Sequence, residues 1–478
     1  MTSRRLVLVL AVVAATLVVP AVATAQLTPM PQTYSGDLWS RPRLTGDWGG
    51  WRDEAAKRGI FLDVDLNQTL QGVADGGRAG KQAYWGSTTY TLNVDTGKAG
   101  LWPGGFLTVM GESTFGETVQ PASNAVLAVN ADTLFPVPNK ERNTLSTLQY
   151  TQFLSTWFGV TLGMLDILGG DANEFADDHK TKFLNTGFDF NMTMALMVPY
   201  APLGAGVIVV PFKDAVWTAV VIDPTGSTSQ TAFDGLFEDG VTVNSEFRAG
   251  IKPFGLPGHQ LLGFAWSNKE RFALKQDPGN ILARIVDLEF PRLGEIIRTP
   301  SGIKQDILRR LILQRFPGLA AVLAAEGPFR KVSDSWAVYY NFDQYLWTRP
   351  GDPLQGVGIF FRAGVSDGQA NPILHHFNVG IGGKGLVPGR PRDTWGVGWS
   401  RIDFSNNLFP ILRERLDLGL DHEDTVEAYY NAAVTRWLGV TVDLQVIDQG
   451  LKRSIEAGPA LKKVDTAVIG GLRVYARF

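Results

Sequence analysis

The sequence predicts an all-β fold: a transmembrane antiparallel β-barrel of about 16 strands, with a short N-terminal helix and a helical loop insertion. Apolar and polar side chains alternate with period two in segments along most of the chain. No apolar run after residue 25 is long enough for a membrane-spanning helix. The final segment, 467–478, has one apolar face, a second face with Arg473, Tyr475 and Arg477, and a terminal Phe478. Taken alone, this segment could also be an edge strand of a soluble β protein.

The composition excludes several classes of function. The chain has 478 residues, which would allow about three ordinary domains or one large barrel. A net charge of -3 offers no basic surface, so we expect no nucleic-acid partner. The absence of cysteine excludes a disulfide framework, and 5 histidines leave little material for a metal cluster.

The first 25 residues are typical of a secretory signal peptide. Arg4 and Arg5 form a basic start, 6–22 is an apolar run, and 23–25 is a small-residue cleavage site. A retained membrane anchor is the alternative. The sequence thus predicts a signal peptide at 1–25, an N-terminal periplasmic segment at 26–59 and a barrel at 60–478.

Residues 44–59 predict one short helix before the barrel. Asp47 is placed to cap its start, and Gly59 to end it. Trp48 and Trp51 share one side of this helix and are expected to pack on the domain.

Alternating segments then predict the barrel strands, and longer polar connections such as 117–144 and 223–241 predict loops on one side. The predicted strands are 60–67, 86–97, 105–115, 146–156, 158–167, 203–212, 216–223, 243–251, 260–267, 335–346, 357–365, 375–382, 396–404, 426–436, 439–447 and 467–478.

The stretch 277–331 breaks this rhythm and predicts an inserted loop. Its segment 303–316 has an amphipathic helical pattern, and Pro317 and Gly318 should end the helix. The insertion could fold over or into the pore, or rest on a rim.

Several motifs resemble the carbohydrate-selective porin family, the OprB-type porins of Gram-negative outer membranes. The opening 44–52 with Gly59 and Ile60 is similar to that family's N-terminal signature. The central matches are 163–166, 170–176, 183–185 and Phe188, and the later ones are 341–344, 361–364, 385–393, 427–430 and 444–445.

The resemblance implies a sixteen-stranded barrel in the bacterial outer membrane that passes small sugars by passive diffusion. It implies no covalent chemistry, hence no enzyme, and no cofactor. Expected partners are small carbohydrates, outer-membrane lipid and the barrel-assembly machinery, which would read the strand ending at Phe478; the protein could be a monomer or a homotrimer. The alternatives are a general diffusion porin, a non-conducting outer-membrane enzyme or adhesin, and a soluble secreted lectin.

Strand alternation predicts which side chains point into the barrel. Carboxylates and guanidinium groups there could bind sugar hydroxyls, and aromatic faces could stack on pyranose rings. The same charges could instead pair into ladders that stiffen the wall. Arg248, Arg362 and Arg473 are on three separate strands and could form a positively charged stretch of the pore wall. The pore-lining or substrate-binding candidates are Glu246, Arg248, Phe360, Arg362, Glu427, Tyr429, Asp443, Arg473 and Tyr475.

Two other groups invite a chemical interpretation. The oxygens of Asp171, Asn173 and Glu174 could bind calcium, but their spacing lacks an EF-hand pattern, so a hydrogen-bonded turn is favoured. No nucleophile-elbow motif is present, and His375 and His376 have no evident catalytic partner.

Overall fold

A computed structural model describes residues 31–134, 142–225, 235–277, 301–315, 328–408, 420–455 and 461–478, together with 280, 295–296 and 410. The predicted signal peptide and most of the 277–331 insertion lie outside the described residues.

Sixteen strands form one closed barrel, as the sequence predicts, and each strand pairs with its neighbours antiparallel. The barrel strands are β1 Ile60–Asp75, β2 Gln82–Asp95, β3 Gly105–Gly116, β4 Asn143–Phe153, β5 Phe158–Met164, β6 Leu203–Val209, β7 Ala215–Ile222, β8 Thr242–Ile251, β9 Gly258–Ser267, β12 Ser335–Arg349, β13 Asp352–Ser366, β14 Ile373–Lys384, β15 Thr394–Phe404, β16 His422–Ala433, β17 Leu438–Asp448 and β20 Ala467–Arg477. Two small hairpins lie outside the barrel and pair β10 Arg271–Phe272 with β11 Lys331–Val332, and β18 Arg453–Ile455 with β19 Leu461–Lys463.

The predicted alternation sorts side chains between the two faces of the wall. On β17, Val442 is 61% exposed on the outside, whereas its neighbour Asp443 is 3% exposed on the inside. Lipid favours apolar groups on the outer face of such a barrel, and polar groups gain hydrogen-bond partners on the inner face. A slip of one residue would exchange the two sets, so this burial fixes the register.

The first and last strands close the barrel. Thr69 on β1 lies opposite Arg473 on β20, and the backbone N–H of Phe478 donates to the carbonyl of Val64 at 2.7 Å. Arg52, just before β1, is buried and donates to the Phe478 carbonyl at 2.9 Å and to Asp63 at 2.6 Å. The sequence did not indicate this contact, which fastens the N-terminal segment to the closing seam.

The N-terminal helix differs from its prediction. Helix α1 covers only Trp51–Lys57, and Gly50, at φ 90°, precedes it without a side-chain cap. Asp47 is therefore not the cap; it accepts a hydrogen bond from the hydroxyl of Ser35 at 2.7 Å. Trp48 and Trp51 stack with ring centroids 5.7 Å apart, but Trp51 is 60% exposed rather than packed on the barrel.

The two ends of the barrel differ in their connections. Turns such as 350–351 and 434–437 are short, whereas the opposite end carries long connections. Two of these hold the short helices α2 Gln120–Ser123 and α3 Met192–Ala195, and the largest holds α4 Ile303–Arg315. The predicted helix in the insertion is confirmed, and none of its residues is buried. Among the described residues, no helix combines the length and apolar character that membrane crossing requires.

Candidate pore and its inner loops

Two of the long connections bond to the inner wall of the barrel. We call 117–134 loop A and 165–202 loop B. Loop A follows β3, and loop B joins β5 to β6. Every residue from 183 to 194 in loop B is buried, whereas 177–182 are partly exposed inside the barrel. One part of loop B is thus packed against the wall, and the other faces the lumen.

Two buried glutamates on β16 hold the two loops. The carboxylate of Glu423 accepts hydrogen bonds from the backbone N–H groups of Val126 at 2.7 Å and Leu127 at 2.8 Å in loop A. The carboxylate of Glu427 accepts hydrogen bonds from Leu184 at 2.5 Å and Asn185 at 3.0 Å in loop B. Glu427, predicted to line the pore, faces inward but lies beneath the loop.

Arg362 is the centre of a second anchor. Its side chain is fully buried and forms a bidentate ion pair with Asp171 in loop B, with both N···O distances 2.6 Å. The same guanidinium donates to the carbonyls of Phe188 at 2.7 Å and Ala176 at 2.6 Å. Planar guanidinium geometry suits this divergent set of acceptors. The prediction that Arg362 contributes a solvent-exposed positive charge to the pore wall is therefore wrong.

Arg473 on β20 acts in the same way. It is fully buried and donates to the backbone carbonyls of His179 and Lys182 in loop B, the second at 2.7 Å. Its third partner is the hydroxyl of Thr441 at 3.0 Å. The expected cationic stretch of Arg248, Arg362 and Arg473 is thus corrected, since only Arg248 remains partly exposed.

Aromatic packing fixes loop B between these polar anchors. Phe360 and Tyr429 of the wall are buried against Phe183, with ring centroids 5.4 and 4.7 Å away. Glycines on β13 and β15 make room for the loop rings: a Cβ at Gly358 would lie 2.3 Å from Phe175, and one at Gly398 would lie 2.6 Å from Phe188. Phe360 and Tyr429 therefore belong to the loop's core, where they are not free to stack on a solute.

The other predicted lining residues also point inward. Glu246 accepts a hydrogen bond from the Tyr339 hydroxyl at 2.7 Å, and Arg248 donates to the Ala172 carbonyl at 3.2 Å. Asp443 accepts from Gln445 at 3.1 Å, and the Tyr475 hydroxyl accepts from Arg477 at 2.7 Å. Asp443 and Tyr475 are buried, whereas Glu246 and Arg248 are partly exposed.

The chain matches the model of a known family. A model of the "Carbohydrate-selective porin, OprB family" matches residues 79–478. The chain belongs to this OprB family. It is therefore an integral β-barrel porin of the bacterial outer membrane.

Known relatives of this OprB-family porin agree with the assignment. Porin B of Pseudomonas aeruginosa is 26% identical over 155 residues, a stretch that covers 28% of this chain and only 31% of that protein. The high-pH structure of Pseudomonas putida OprB aligns with a TM-score of 0.71 at 19% identity and covers 93% of this chain and 100% of that one. The low-pH structure of the same protein gives 0.52 at 16% identity, with 92% and 99% covered. Both structures show the same fold.

The central motif of this OprB-family porin forms the start of loop B. The side-chain oxygen of Asn173 accepts hydrogen bonds from the backbone N–H groups of Phe175 and Ala176, both at 3.1 Å, so the predicted turn is confirmed. The Asp171 carboxylate is paired with Arg362, which leaves it unsuited to calcium. His376 also has a partner that the sequence did not reveal, because it lies 3.1 Å from the carbonyl oxygen of Gly187 in loop B.

Sequence reasoning missed the charged stretch of loop B in this OprB-family porin. Its charged members are Asp177, Asp178, His179, Lys180 and Lys182. A dense run of mixed charge in a predicted connection was the available signal, but alternation alone cannot show that a connection turns inward.

His179 links the two inner loops. Its ring nitrogens lie 3.6 Å from Asp132 of loop A and 2.9 Å from Asp189 of loop B. Burial lowers the pKa of this imidazole, but the carboxylates of Asp189 and Asp132 outweigh that effect and raise it to about 10. The side chain is 30% exposed to the lumen, so solvent screening reduces this shift. His179 is thus a charged bridge between loops A and B at neutral pH.

Proposed function

We propose that this porin passes neutral mono- and small oligosaccharides across the outer membrane by passive diffusion. The observation that carries the proposal is loop B, which crosses the lumen with one packed side and one partly exposed, mixed-charge side at 177–182. Glu427, Arg362 and Arg473 hold its backbone to the wall. A fixed constriction selects solutes by size and hydrogen bonding, and a pore requires that binding stay weak enough for release.

The exposed stretch suits a hydroxyl-rich, uncharged solute. Lys180 donates to Thr89 at 2.8 Å, and Lys182 donates to the Asn173 carbonyl at 3.2 Å, so both ammonium groups are positioned. Asp177 and Asp178 add acceptors beside them. Interspersed charges of both signs offer charge-assisted hydrogen bonds to sugar hydroxyls without attracting one sign of ion. With Arg248 and Glu246, these residues replace the buried candidates as the proposed solute contacts.

The proposal extends to the chain's export and N-terminal segment. Residues 1–25 would direct secretion and then be removed. Residues 26–59 would lie in the periplasm, because the Leu44 N–H donates to the Arg477 carbonyl at 2.8 Å beside the short turns. Short turns face the periplasm in bacterial outer-membrane barrels.

Liposome swelling tests the substrate class directly. Purified protein is reconstituted, and influx of glucose and maltose is compared with that of neutral amino acids of similar size. Faster sugar influx supports the proposal. Equal rates for sugars and amino acids would assign a general diffusion porin instead, and no conductance in a planar bilayer would exclude a pore altogether.

A further inference from the structure

A pair of exposed tryptophans lies on the N-terminal segment, at the end of the barrel that carries the short turns. The segment is bound there by the Trp437 indole of the turn 434–437, which donates to the Leu38 carbonyl at 2.8 Å. The indole rings of Trp48 and Trp51 stack with their planes 19° apart, and they are 43% and 60% exposed. Among the described residues, neither ring joins a buried apolar cluster. Adjacent apolar groups that stay in solvent commonly mark a binding site.

The backbone that presents this pair is strained. Trp48 has a φ of 54°, and Gly49 and Gly50 follow at 69° and 90°. A left-handed backbone is unfavourable for a residue with a bulky side chain, and such strain gathers at functional sites. A Cβ on either glycine would meet no atom within 4 Å, so the glycines serve the backbone conformation and not a close approach. The strained turn brings Trp48 beside Trp51.

Arg52 fixes the pair to the barrel. Its guanidinium carbon lies 4.0 Å from the ring centroid of Tyr34 and 4.9 Å from that of Trp48. Tyr34 is fully buried, and Arg52 is bonded to the closing seam of the barrel. A continuous series of contacts therefore runs from buried Tyr34 through Arg52 and Trp48 to exposed Trp51. Rings that are already held in place lose little conformational freedom when they bind a ligand.

The attachments of the segment place it at the mouth of the pore. Arg43 and Arg52 bond to the carboxylate of Asp63 at 2.7 and 2.6 Å. Asp63 alternates on β1 with exposed Leu62 and shares its side with buried Asn67, so it belongs to the inner face of the wall. The segment is thus attached from inside the rim, and it borders the opening at this end of the barrel.

Hydrogen-bonding groups flank the indoles. The Ser35 hydroxyl donates to the carboxylate of Asp47 at 2.7 Å, and Asp47 immediately precedes Trp48. Thr45 is exposed, and its hydroxyl lies 3.4 Å from the Arg52 guanidinium. An indole face suits the C–H side of a pyranose ring, and carboxylate and hydroxyl oxygens suit its hydroxyl groups. Lipid headgroups would also accept an aromatic face, but attachment to the inner face of β1 favours the solute that crosses the pore.

We infer that Trp48 and Trp51 form a sugar-binding platform at the periplasmic mouth, where the ring of a departing sugar stacks on the Trp51 indole. Ser35, Thr45 and Asp47 provide hydrogen-bond partners at its edge. Binding stays weak because a single ring face is offered, which lets the sugar leave. The inference rests on the proposed function, since a sugar reaches this mouth through the pore.

Fluorine NMR tests the platform. Full-length protein that contains 5-fluorotryptophan is placed in lipid nanodiscs, and Trp39→Phe, Trp48→Phe and Trp51→Phe each remove, and so identify, one signal among the 13 tryptophans. We expect glucose and maltose to shift the Trp51 signal and to leave the Trp39 signal unmoved. Trp39 is the matched control, because it is 69% exposed on the same segment and takes no part in the stack.

Two variants separate an aromatic contact from a merely apolar one. Trp51→Leu keeps an exposed apolar side chain without a ring, so the glucose-induced shift of the Trp48 signal should require about fivefold more sugar, as expected for the loss of one aromatic contact. Trp51→Phe keeps a ring and should remain close to the wild type. Heat-modifiable electrophoretic mobility verifies that each variant is folded.

A nanodisc lipid with a spin label at its headgroup tests the other occupant. Broadening of the Trp51 signal by this lipid, without a shift by sugar, would overturn the inference in favour of membrane contact. Equal shifts of the Trp51 and Trp39 signals, no shift at all, or unchanged affinity in Trp51→Leu would also overturn it. Equal liposome swelling by sugars and amino acids would reject the proposed function, whereas the Trp51 signal reports on the platform separately.

Discussion

Glu423 and Glu427 lie four residues apart on strand β16, so both carboxylates point to the same inner face of the barrel, and each binds a different inner loop. Glu423 binds backbone N–H groups of loop A, and Glu427 binds those of loop B. A single strand therefore positions both segments that narrow the lumen. This arrangement allows the two loops to be perturbed separately.

Glu427→Gln should loosen loop B without unfolding the barrel. The amide replaces one acceptor oxygen with a donor that faces the N–H groups of Leu184 and Asn185, at a cost of about 2 kcal/mol in loop stability. We expect higher single-channel conductance with more current noise, and an unchanged far-UV circular dichroism spectrum. Glu423→Gln is the control, because Glu423 binds the backbone of loop A and this change should disturb loop A instead of loop B. Wild-type conductance in folded Glu427→Gln would show that this anchor does not set the constriction.

Arg362 should behave as an anchor and not as a pore cation. Arg362→Lys cannot keep the bidentate pair with Asp171 or reach the carbonyls of Phe188 and Ala176 at once. Although the charge is retained, we expect raised conductance and weaker discrimination among sugars. Removing one partner of a buried ion pair costs about 3–5 kcal/mol, so Arg362→Ala should be more severe. A lysine variant with wild-type sugar discrimination would argue against the anchor.

Arg248 provides the contrasting case. It is partly exposed and contacts loop B only through the Ala172 carbonyl at 3.2 Å. Arg248→Gln should shift the reversal potential in a salt gradient toward cations and leave conductance nearly unchanged. Arg362→Lys should instead raise the conductance and leave the reversal potential nearly unchanged. An unchanged reversal potential in Arg248→Gln would remove this residue from the proposed pore contacts.

The His179 bridge predicts a response to alkaline pH. Its pKa is raised by folding, so its stabilising contribution is complete below the ordinary imidazole value of about 6.5 and is lost as pH rises through about 10. Screening at this partly exposed site moves the loss toward lower pH. We expect conductance to be steady from about pH 6 to 8 and to rise at alkaline pH as loops A and B separate.

His179→Gln should show the raised conductance already at pH 7 and should lack the alkaline rise. His375→Gln is the control, because His375 lies 3.5 Å from Asp403 on the outer face and contacts neither loop. If His179→Gln keeps the same alkaline rise, another group is responsible for it.

The barrel could be predicted from the sequence because burial on one face leaves a strong two-residue period. β17 and β20 illustrate this: Val442 and Asp443, or Leu472 and Arg473, differ sharply in polarity and in exposure. The helix 44–59 was overestimated, since Gly49 and Gly50 adopt positive φ and interrupt it before Trp51. Local propensity did not indicate that Arg52 would bind the chain's last residue.

Alternation predicted the direction of the lining residues but not their role. It placed Arg362, Glu427 and Arg473 on the inner face, where the structure has them. Whether an inward group meets water or a folded loop depends on contacts between residues far apart in sequence, such as Asp171 with Arg362. The glycines at 358 and 398 carried that information, because residues without a Cβ leave space for loop rings.

The role of loop B in sugar selectivity is tested most directly by liposome swelling with glucose and with a neutral amino acid of similar size, in wild-type protein and in Glu427→Gln. We expect wild-type protein to admit glucose faster, and the ratio of the two rates to fall toward one when loop B loses its anchor. A wild-type ratio of one, or a ratio that is the same in the folded variant, would contradict the claim that the anchored loop B makes this porin selective for sugars.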